Sequence, residues 1–303
     1  LHAGYLNQGV FVVRFLSFLL ISLFAIGPAA AQPAFTSDRI GVTVRGEGPD
    51  VVLIPGLSSS PEVWDSTIAA MPGYRYHLVH VSGFAGRPAG ANAEGPVLAP
   101  VAEEIARYIR ESGLRNPAIV GHSMGGSWGM MVAARHPGLV GRLMVVDMFP
   151  YLGAMYAGPA ATPEAVRPIA EQVRAAIANT QEPQRTQQQE ATIASMVSTE
   201  SLRPLAVRHG LESSGNVSGQ GMYDLITTNL MPELSRITVP VTVLWVRQPN
   251  VPVTMEQMTE YYRISYAAIS HARLIHVPDS YHFIMWDAPE AFQRELRAFL
   301  EAR

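Results

Sequence analysis

The sequence predicts an α/β fold with a mostly parallel sheet and a helical insertion, from two observations. First, short apolar runs typical of strands alternate with segments of helical periodicity up to residue 147. Parallel strands need crossover helices between them, so this alternation favours a sheet covered by helices. Second, the alternation stops over residues 149–236, which are rich in Ala, Gln, Glu, Pro and Ser, and resumes at "VPVTVLWV". We call residues 149–236 the helical cap, because by position they form a lid on one α/β domain.

The individual elements follow from local patterns. Residues 51–54 form a continuous apolar run that ends at Pro-Gly, as in a strand buried on both faces. Val101, Ile105 and Ile109 fall on one side of a predicted helix that ends near Gly113. Further strands are predicted at "RIGVTVR", "YRYHLVHVSG", 118–120, 143–146 and "ARLIHVP", and further helices at 63–71, from 124 to about 136, 163–178 and 289–302.

Composition excludes several classes of protein. The 303 residues are 48% hydrophobic and 16% charged, which suits one domain with a large core, alone or with a lid, and not a disordered chain. The net charge of −3, without a long basic run, predicts no nucleic-acid partner. The chain has no cysteine, so it has no thiol nucleophile, disulfide or lipoprotein anchor.

The first 31 residues resemble an export signal with some residues upstream of it. Arg14 precedes the apolar stretch 15–26, and Ala29 and Ala31 occupy the small-residue positions before a cleavage site. We therefore expect a mature chain from Gln32, periplasmic or secreted, with no stable membrane insertion after cleavage. The alternative is an uncleaved membrane anchor, for which the apolar run is short.

The pattern Gly121-x-Ser123-x-Gly125 lies where a predicted strand meets a predicted helix. In that context it predicts a sharp turn that exposes a nucleophilic serine at the carboxyl edge of the sheet. The elbow glycines, Gly121 and Gly125, let backbones pass closely, and the N–H of Met124 at the helix start can stabilise an oxyanion. The alternative is a glycine-rich turn without chemistry.

From residue 42 to about 300 the chain resembles the α/β-hydrolase family. The motifs that carry the resemblance, in order, are "VVLIPGLSSS", "VSGFAGRPAG", "VGHSMGG", "LMVVDMFP", "ITVPVTVLWV" and "IHVPDSYHFIMWDAPEAF". The resemblance implies a mostly parallel eight-stranded sheet with helices on both faces and a cap inserted after the sixth strand. The core would comprise residues 32–148 and 237–303, and the cap 149–236. It also implies serine-type hydrolysis without a cofactor. Separately, the spacing of the histidines does not indicate a zinc site.

The same resemblance proposes partners for the serine. His282 stands in the family's catalytic-histidine loop and would act as the base. The family's usual acid position, after its seventh strand, is residues 246–250 here and holds no carboxylate. The other position known in the family, the end of the sixth strand, holds Asp147, 24 residues after Ser123. Asp279 and Glu256 are the reserve candidates, and a strand-end aspartate that only caps a turn is the alternative.

These assignments predict a carboxylic ester hydrolase that forms an acyl-enzyme on Ser123 and takes a small-molecule ester. The resemblance places the second oxyanion donor at the backbone N–H of Leu57. Serine at the elbow disfavours haloalkane dehalogenase and epoxide hydrolase chemistry, in which an aspartate stands there. Lactonase, thioesterase and amidase activities remain open. So does a ligand-binding protein on a hydrolase scaffold, because the usual acid position lacks a carboxylate.

Overall fold

The computed structural model describes residues 1, 2, 4, 35–249 and 251–302. The predicted signal, with Arg14 and the cleavage site after Ala31, lies outside the described residues. The architecture below is that of the compact unit that begins at Phe35.

The unit is built on a seven-stranded sheet in the order β1-β3-β2-β4-β5-β6-β7. The strands are β1 (Ile40–Arg45), β2 (Asp50–Ile54), β3 (Arg75–Val81), β4 (Ala118–His122), β5 (Arg142–Val146), β6 (Val241–Trp245) and β7 (Arg273–His276). Only β1 runs antiparallel to its neighbour, and the other pairs are parallel. The predicted mostly parallel α/β class is confirmed. The described residues contain seven strands where eight were expected, and β1 and β7 form the two edges of the sheet.

Helices cover both faces of this sheet. They are α1 (Asp65–Ala70), α2 (Leu98–Glu111), α3 (Met124–Arg135), α4 (Ala154–Ala157), α5 (Pro163–Asn179), α6 (Gln184–Met196), α7 (Arg203–Glu212), α8 (Gly215–Thr227), α9 (Met255–Ser265), α10 (Ile284–Asp287) and α11 (Pro289–Glu301). Short 3₁₀ helices lie at Pro61–Trp64, Gly90–Asn92, Glu200–Leu202 and Met231–Arg236.

Two hydrophobic cores lie on opposite faces of the sheet, because successive side chains of a strand alternate between its faces. In β2, Val52 and Ile54 belong to the core that contains Trp128 of α3. Leu53, between them, belongs to the core that contains Phe292 of α11. Strands buried on both sides need apolar residues at every position, which explains the continuous apolar runs in the sequence.

The helical cap follows β5 and contains α4 to α8, with no strand among its residues. A buried carboxylate ties it to the rest of the unit. Asp224 of α8 accepts hydrogen bonds from the backbone N–H groups of Val97 and Leu98, at 2.6 and 2.9 Å. Burial raises the pKa of Asp224. Within the part of the chain that the structure describes, no helix has both the length and the apolar character needed to cross a membrane.

Candidate active site

The register of the sheet places two predicted site residues side by side. His122 of β4 pairs with Val146 of β5, so the residues that follow them, Ser123 and Asp147, leave neighbouring strands at the same edge. The N–H of Ser123 donates to the carbonyl of Val146 at 2.8 Å, and the N–H of Asp147 donates to that of Leu244 in β6 at 2.8 Å. The carboxyl ends of β4, β5 and β6 therefore converge here.

Ser123 has the backbone of a strained turn. Its φ of 53° and ψ of −125° place it in a region that residues other than glycine rarely adopt. It is also the only residue from 118 to 134 that is not buried. It precedes α3 at the position where serine usually caps a helix, yet its side chain makes no capping hydrogen bond. The hydroxyl group is thus left available at the sheet edge.

The two elbow glycines are required by close backbone contacts. A Cβ on Gly121 would lie 2.1 Å from the carbonyl oxygen of Gly125, and a Cβ on Gly125 would lie 2.2 Å from that of Ile54. Neither contact can be relieved by rotating a side chain, because the opposing atoms belong to the backbone. The pattern of glycine, serine and glycine therefore has a steric cause in this turn.

His282 meets the predicted acid directly. Its Nδ1 lies 2.6 Å from Oδ2 of Asp147, and both side chains are largely buried. An ionised carboxylate only accepts hydrogen bonds, so Nδ1 is the donor in this contact, and in the neutral imidazole Nε2 then keeps its lone pair. Among the described residues no hydrogen bond joins His282 to Ser123, but both line one cavity. Nucleophile–base hydrogen bonds are often longer before a substrate binds.

The other oxygen of Asp147 is also fully engaged. Oδ1 accepts from the backbone N–H of Val246 at 3.2 Å and from the hydroxyl of Tyr262 at 2.9 Å. Burial and then the Asp147 charge raise the pKa of Tyr262 well above its usual value, so the phenol stays neutral and donates. Val246 lies in residues 246–250, the family's usual acid position, which holds no carboxylate in this chain. Here this position contributes a backbone N–H that donates to Asp147.

Sequence reasoning missed Tyr262. The residue lies on α9, 115 positions after Asp147. The surrounding residues, "YYRISY", are as typical of a helix face packed in a core as of one that makes a polar contact. Only the packing of α9 against the sheet brings its hydroxyl to the carboxylate.

The reserve acids lie elsewhere. Asp279 is an exposed residue in a turn with φ 56°, and Glu256 is exposed in the first turn of α9. Neither makes a hydrogen bond to His282 within the described residues. The geometry therefore favours Asp147 over both.

Two side chains fix the loop that carries His282. Nε2 of His122 lies 3.0 Å from the carbonyl oxygen of His282 and donates to it. Asp287 accepts from the backbone N–H groups of Tyr281, Ser198 and Thr199, and so ties this loop to the chain after α6. Complete burial, and then the neighbouring His282, hold the pKa of His122 well below its ordinary range.

The two predicted oxyanion donors belong to the loop after β2 and to the first turn of α3. Leu57 lines the cavity beside Ser123, and Met124 follows Ser123 with its side chain buried in the core. Within residues 35–249 and 251–302, neither backbone N–H donates to an acceptor of the protein. Gly56 lies close to the elbow, since a Cβ there would be 2.9 Å from Cβ of Ser123. Both N–H groups are available to a ligand.

These residues open into a cavity of about 670 Å³ between the sheet edge and the helical cap. Its walls include side chains from α5, α6 and α8, so the cap shapes the space above Ser123. In the described part of the chain, no three histidine or carboxylate side chains are grouped as metal ligands would be. The arrangement is suited to attack by a serine on a carbonyl group.

Comparison with known proteins identifies a hydrolase family and relatives that are named as hydrolases or esterases. A family model described as "Alpha/beta hydrolase family" matches residues 51–295. A putative carbamate hydrolase RutD of Yersinia enterocolitica is 32% identical over 103 residues, which cover 34% of this chain and 37% of that protein. The chain thus spans little more than a third of the first curated relatives it matches. A pimeloyl-acyl-carrier-protein methyl ester esterase of Sodalis glossinidius is 28% identical over 236 residues, 76% of this chain and 89% of that protein.

Solved structures share the fold. An esterase from Exiguobacterium antarcticum superposes with a TM-score of 0.73 at 21% identity, over 87% of this chain and 96% of that one. An enol-lactonase from Burkholderia xenovorans LB400 superposes with a TM-score of 0.68 at 18% identity, over 86% and 96%. At these identities the likeness concerns the fold alone.

Proposed function

We propose, from the premise that this chain belongs to the alpha/beta hydrolase family, that it is a serine hydrolase of carboxylic esters. Its curated relatives are named as esterases and hydrolases, and in this sense the chain is esterase-like. The observation that carries the proposal is the 2.6 Å contact between His282 Nδ1 and Asp147 Oδ2 beside the strained turn of Ser123. The contact leaves the second nitrogen of His282 free to act as a base.

In this mechanism Nε2 of His282 takes the proton of Ser123 Oγ as that oxygen attacks the ester carbonyl. Asp147 keeps the imidazole in the required tautomer and stabilises its positive form. The N–H groups of Leu57 and Met124 stabilise the oxyanion, a contribution of about 10²–10³ in rate for each donor. The bond to the leaving oxygen breaks, and His282 gives the proton to the departing alcohol.

The second half of the reaction uses the same groups. His282 removes a proton from water, the resulting hydroxide attacks the acyl-enzyme, and the ester bond to Ser123 breaks. The acid leaves, and the proton returns to Ser123. Lactones, thioesters and amides would follow the same course.

Hydrolysis of short p-nitrophenyl esters tests this proposal. We expect turnover by the wild-type protein and a loss on the order of 10⁶-fold in Ser123→Ala, as when a triad serine is removed. Ser195→Ala, on the cap helix α6, is the matched control and should keep full activity. A folded wild-type protein without turnover on any ester would instead support a ligand-binding protein on this scaffold.

We also propose that the chain is exported and cleaved after Ala31, on the order of residues in its first 31 positions. N-terminal sequencing of the native protein should begin at Gln32. A native protein that retains Phe15 would contradict cleavage and favour an anchor.

A further inference from the structure

One face of the cap helix α6 forms part of the cavity wall. Arg185, Gln188, Gln189 and Thr192 all line the cavity, and their spacing places them on one side of the helix. By composition the stretch "QEPQRTQQQE", residues 181–190, is typical of a solvated helix face or a loop. In the structure Arg185, Gln188 and Gln189 of this stretch instead line the cavity above Ser123.

Arg185 is held firmly at this wall. Its Nη2 donates to the backbone carbonyls of Gly210, Leu211 and Ser213 at the end of α7, at 3.3, 2.9 and 2.7 Å. These acceptors are neutral and carry only the partial negative charge of a helix terminus. Within the described part of the chain, no carboxylate pairs with Arg185, and Nε and Nη1 have no acceptor. A partly buried guanidinium group thus keeps donors for a ligand.

The remaining walls differ in character. Leu152, Met222, Leu225 and Met258 present apolar surface to the same cavity. Among its described lining residues, Arg185 is the only arginine. The lining carboxylate, Asp147, is already engaged by His282. The cavity therefore combines an apolar chamber with one positive charge that the protein does not neutralise.

A short chain of contacts links Arg185 to the oxyanion loop. The carbonyl of Ser213 accepts from Arg185, and the hydroxyl of Ser213 lies 3.4 Å from the carbonyl oxygen of Ser58. Ser58 directly follows Leu57, whose N–H is the proposed oxyanion donor. Ser213 thus contacts both Arg185 and the loop of Leu57, and Arg185 and Leu57 line the same cavity as Ser123.

We propose that Arg185 binds a carboxylate of the substrate, so that the substrate class is a small aliphatic ester with a free carboxylate remote from the bond that is cleaved. This inference rests on the proposed ester hydrolysis at Ser123. The planar guanidinium group matches a carboxylate through two parallel hydrogen bonds, and the apolar walls suit the aliphatic part. The carboxylate takes no part in the chemical step and serves only to position the ester.

The test compares two methyl esters of equal carbon-chain length, monomethyl adipate and methyl hexanoate, by titration of the acid released. We expect the wild type to prefer the adipate ester. In Arg185→Met the ratio of the two kcat/KM values should fall about 10- to 100-fold, mainly through KM. Arg185→Lys keeps the charge without the planar fork, so its ratio should lie between the two.

Arg174→Met is the matched control. Arg174 lies on α5 with its guanidinium over the ring of Tyr223, and it does not line the cavity. The ratio of the two kcat/KM values should keep its wild-type value in this variant. A fall in Arg174→Met as large as that in Arg185→Met would overturn the proposal, because cap charge in general would then explain the effect.

Equal losses on both esters in Arg185→Met would also overturn it, since Arg185 would then serve only to cap α7. If the wild type hydrolyses neither methyl ester, the p-nitrophenyl ester assay alone tests the proposed hydrolase activity, and calorimetry with adipate decides the carboxylate site. Binding at least tenfold weaker in Arg185→Met than in wild type would support the site. Equal or absent binding in both would overturn it.

Discussion

The hydroxyl of Tyr262 donates to Oδ1 of Asp147 at 2.9 Å, on the carboxylate oxygen opposite the one that meets His282. The tyrosine is completely buried and stacks on the indole ring of Trp245, 4.9 Å between ring centroids. The acid at the end of β5 is therefore positioned from two sides, by the base that it orients and by a neutral phenol.

Tyr262→Phe should change the pH dependence of the reaction. The hydroxyl of Tyr262 disperses part of the negative charge of Asp147. Without that hydrogen bond, the Asp147 carboxylate attracts the proton of the His282 imidazolium more strongly. We expect the acidic limb of the kcat/KM profile to move to higher pH, by less than about one unit, with a loss of about 1 kcal/mol in unfolding free energy.

Tyr266→Phe provides the matched control for that variant. Its hydroxyl donates to the carbonyl of Met148 at 2.6 Å and makes no hydrogen bond to Asp147. A similar loss of stability with an unmoved acidic limb is expected. If both variants leave the limb in place, Tyr262 has a packing role only.

Asp147→Asn and Asp279→Asn together test which of the two carboxylates is the catalytic acid. Both Asp147 and Asp279 have positive φ, 53° and 56°, a conformation that asparagine tolerates, so the exchange preserves the backbone at either site. An asparagine at 147 no longer holds His282 in the right tautomer, and we expect kcat to fall by about 10⁴-fold. Asp279→Asn should stay within about threefold of wild type, as surface changes away from a site do. The reverse result in an ester assay would transfer the role to Asp279.

Gly121→Ala should destabilise the fold through the close contact with Gly125. Because the opposing atoms are backbone, we expect a loss of about 3 kcal/mol or more in unfolding free energy. Gly138→Ala is the comparison, since Gly138 has φ 83° with open space around its Cβ position and should cost only about 1–2 kcal/mol of backbone strain. Urea denaturation measures both. Equal losses would mean that crowding at the elbow is not the cause.

His122 should make stability depend on pH. Its pKa is depressed in the folded state, so below about pH 6.5 the unfolded chain takes up a proton that the folded chain does not. This contribution to stability is complete above that pH and is lost as the pH falls toward the folded-state pKa. Burial lowers the pKa of other histidines as well, so His122 accounts for a part of the slope.

His122→Gln isolates that part, because an amide still donates to the carbonyl of His282 but does not titrate. Between pH 7 and pH 5.5, we expect the fall in unfolding free energy to shrink by about 1 kcal/mol relative to wild type. His271→Gln, at an exposed histidine, should keep the wild-type difference. An unchanged difference in His122→Gln would show that folding does not lower the pKa of His122.

Local chemistry alone was enough to predict several parts of this protein. Apolar runs predicted β2, β4 and β5, since a strand buried on both faces needs apolar side chains at each position. The elbow around Ser123 was recognised because it is a contiguous motif whose turn chemistry lies within a few residues. The loop of His282 was identified through its resemblance to the family's catalytic-histidine loop. Asp147 was chosen because the resemblance implies an acid at the end of the sixth strand when the family's usual acid position, residues 246–250 here, holds no carboxylate.

Tertiary structure alone decided the rest, because the deciding contacts join residues far apart in the chain. The contact between His282 and Asp147 joins residues 135 positions apart, and the contact between Tyr262 and Asp147 joins residues 115 positions apart. The sequence predicts that the side of α6 that carries Arg185 faces solvent, because a polar helix face is typical of a protein surface. This side of α6 lines the cavity because the cap places the helix over the sheet edge, and no local sequence pattern predicts that placement.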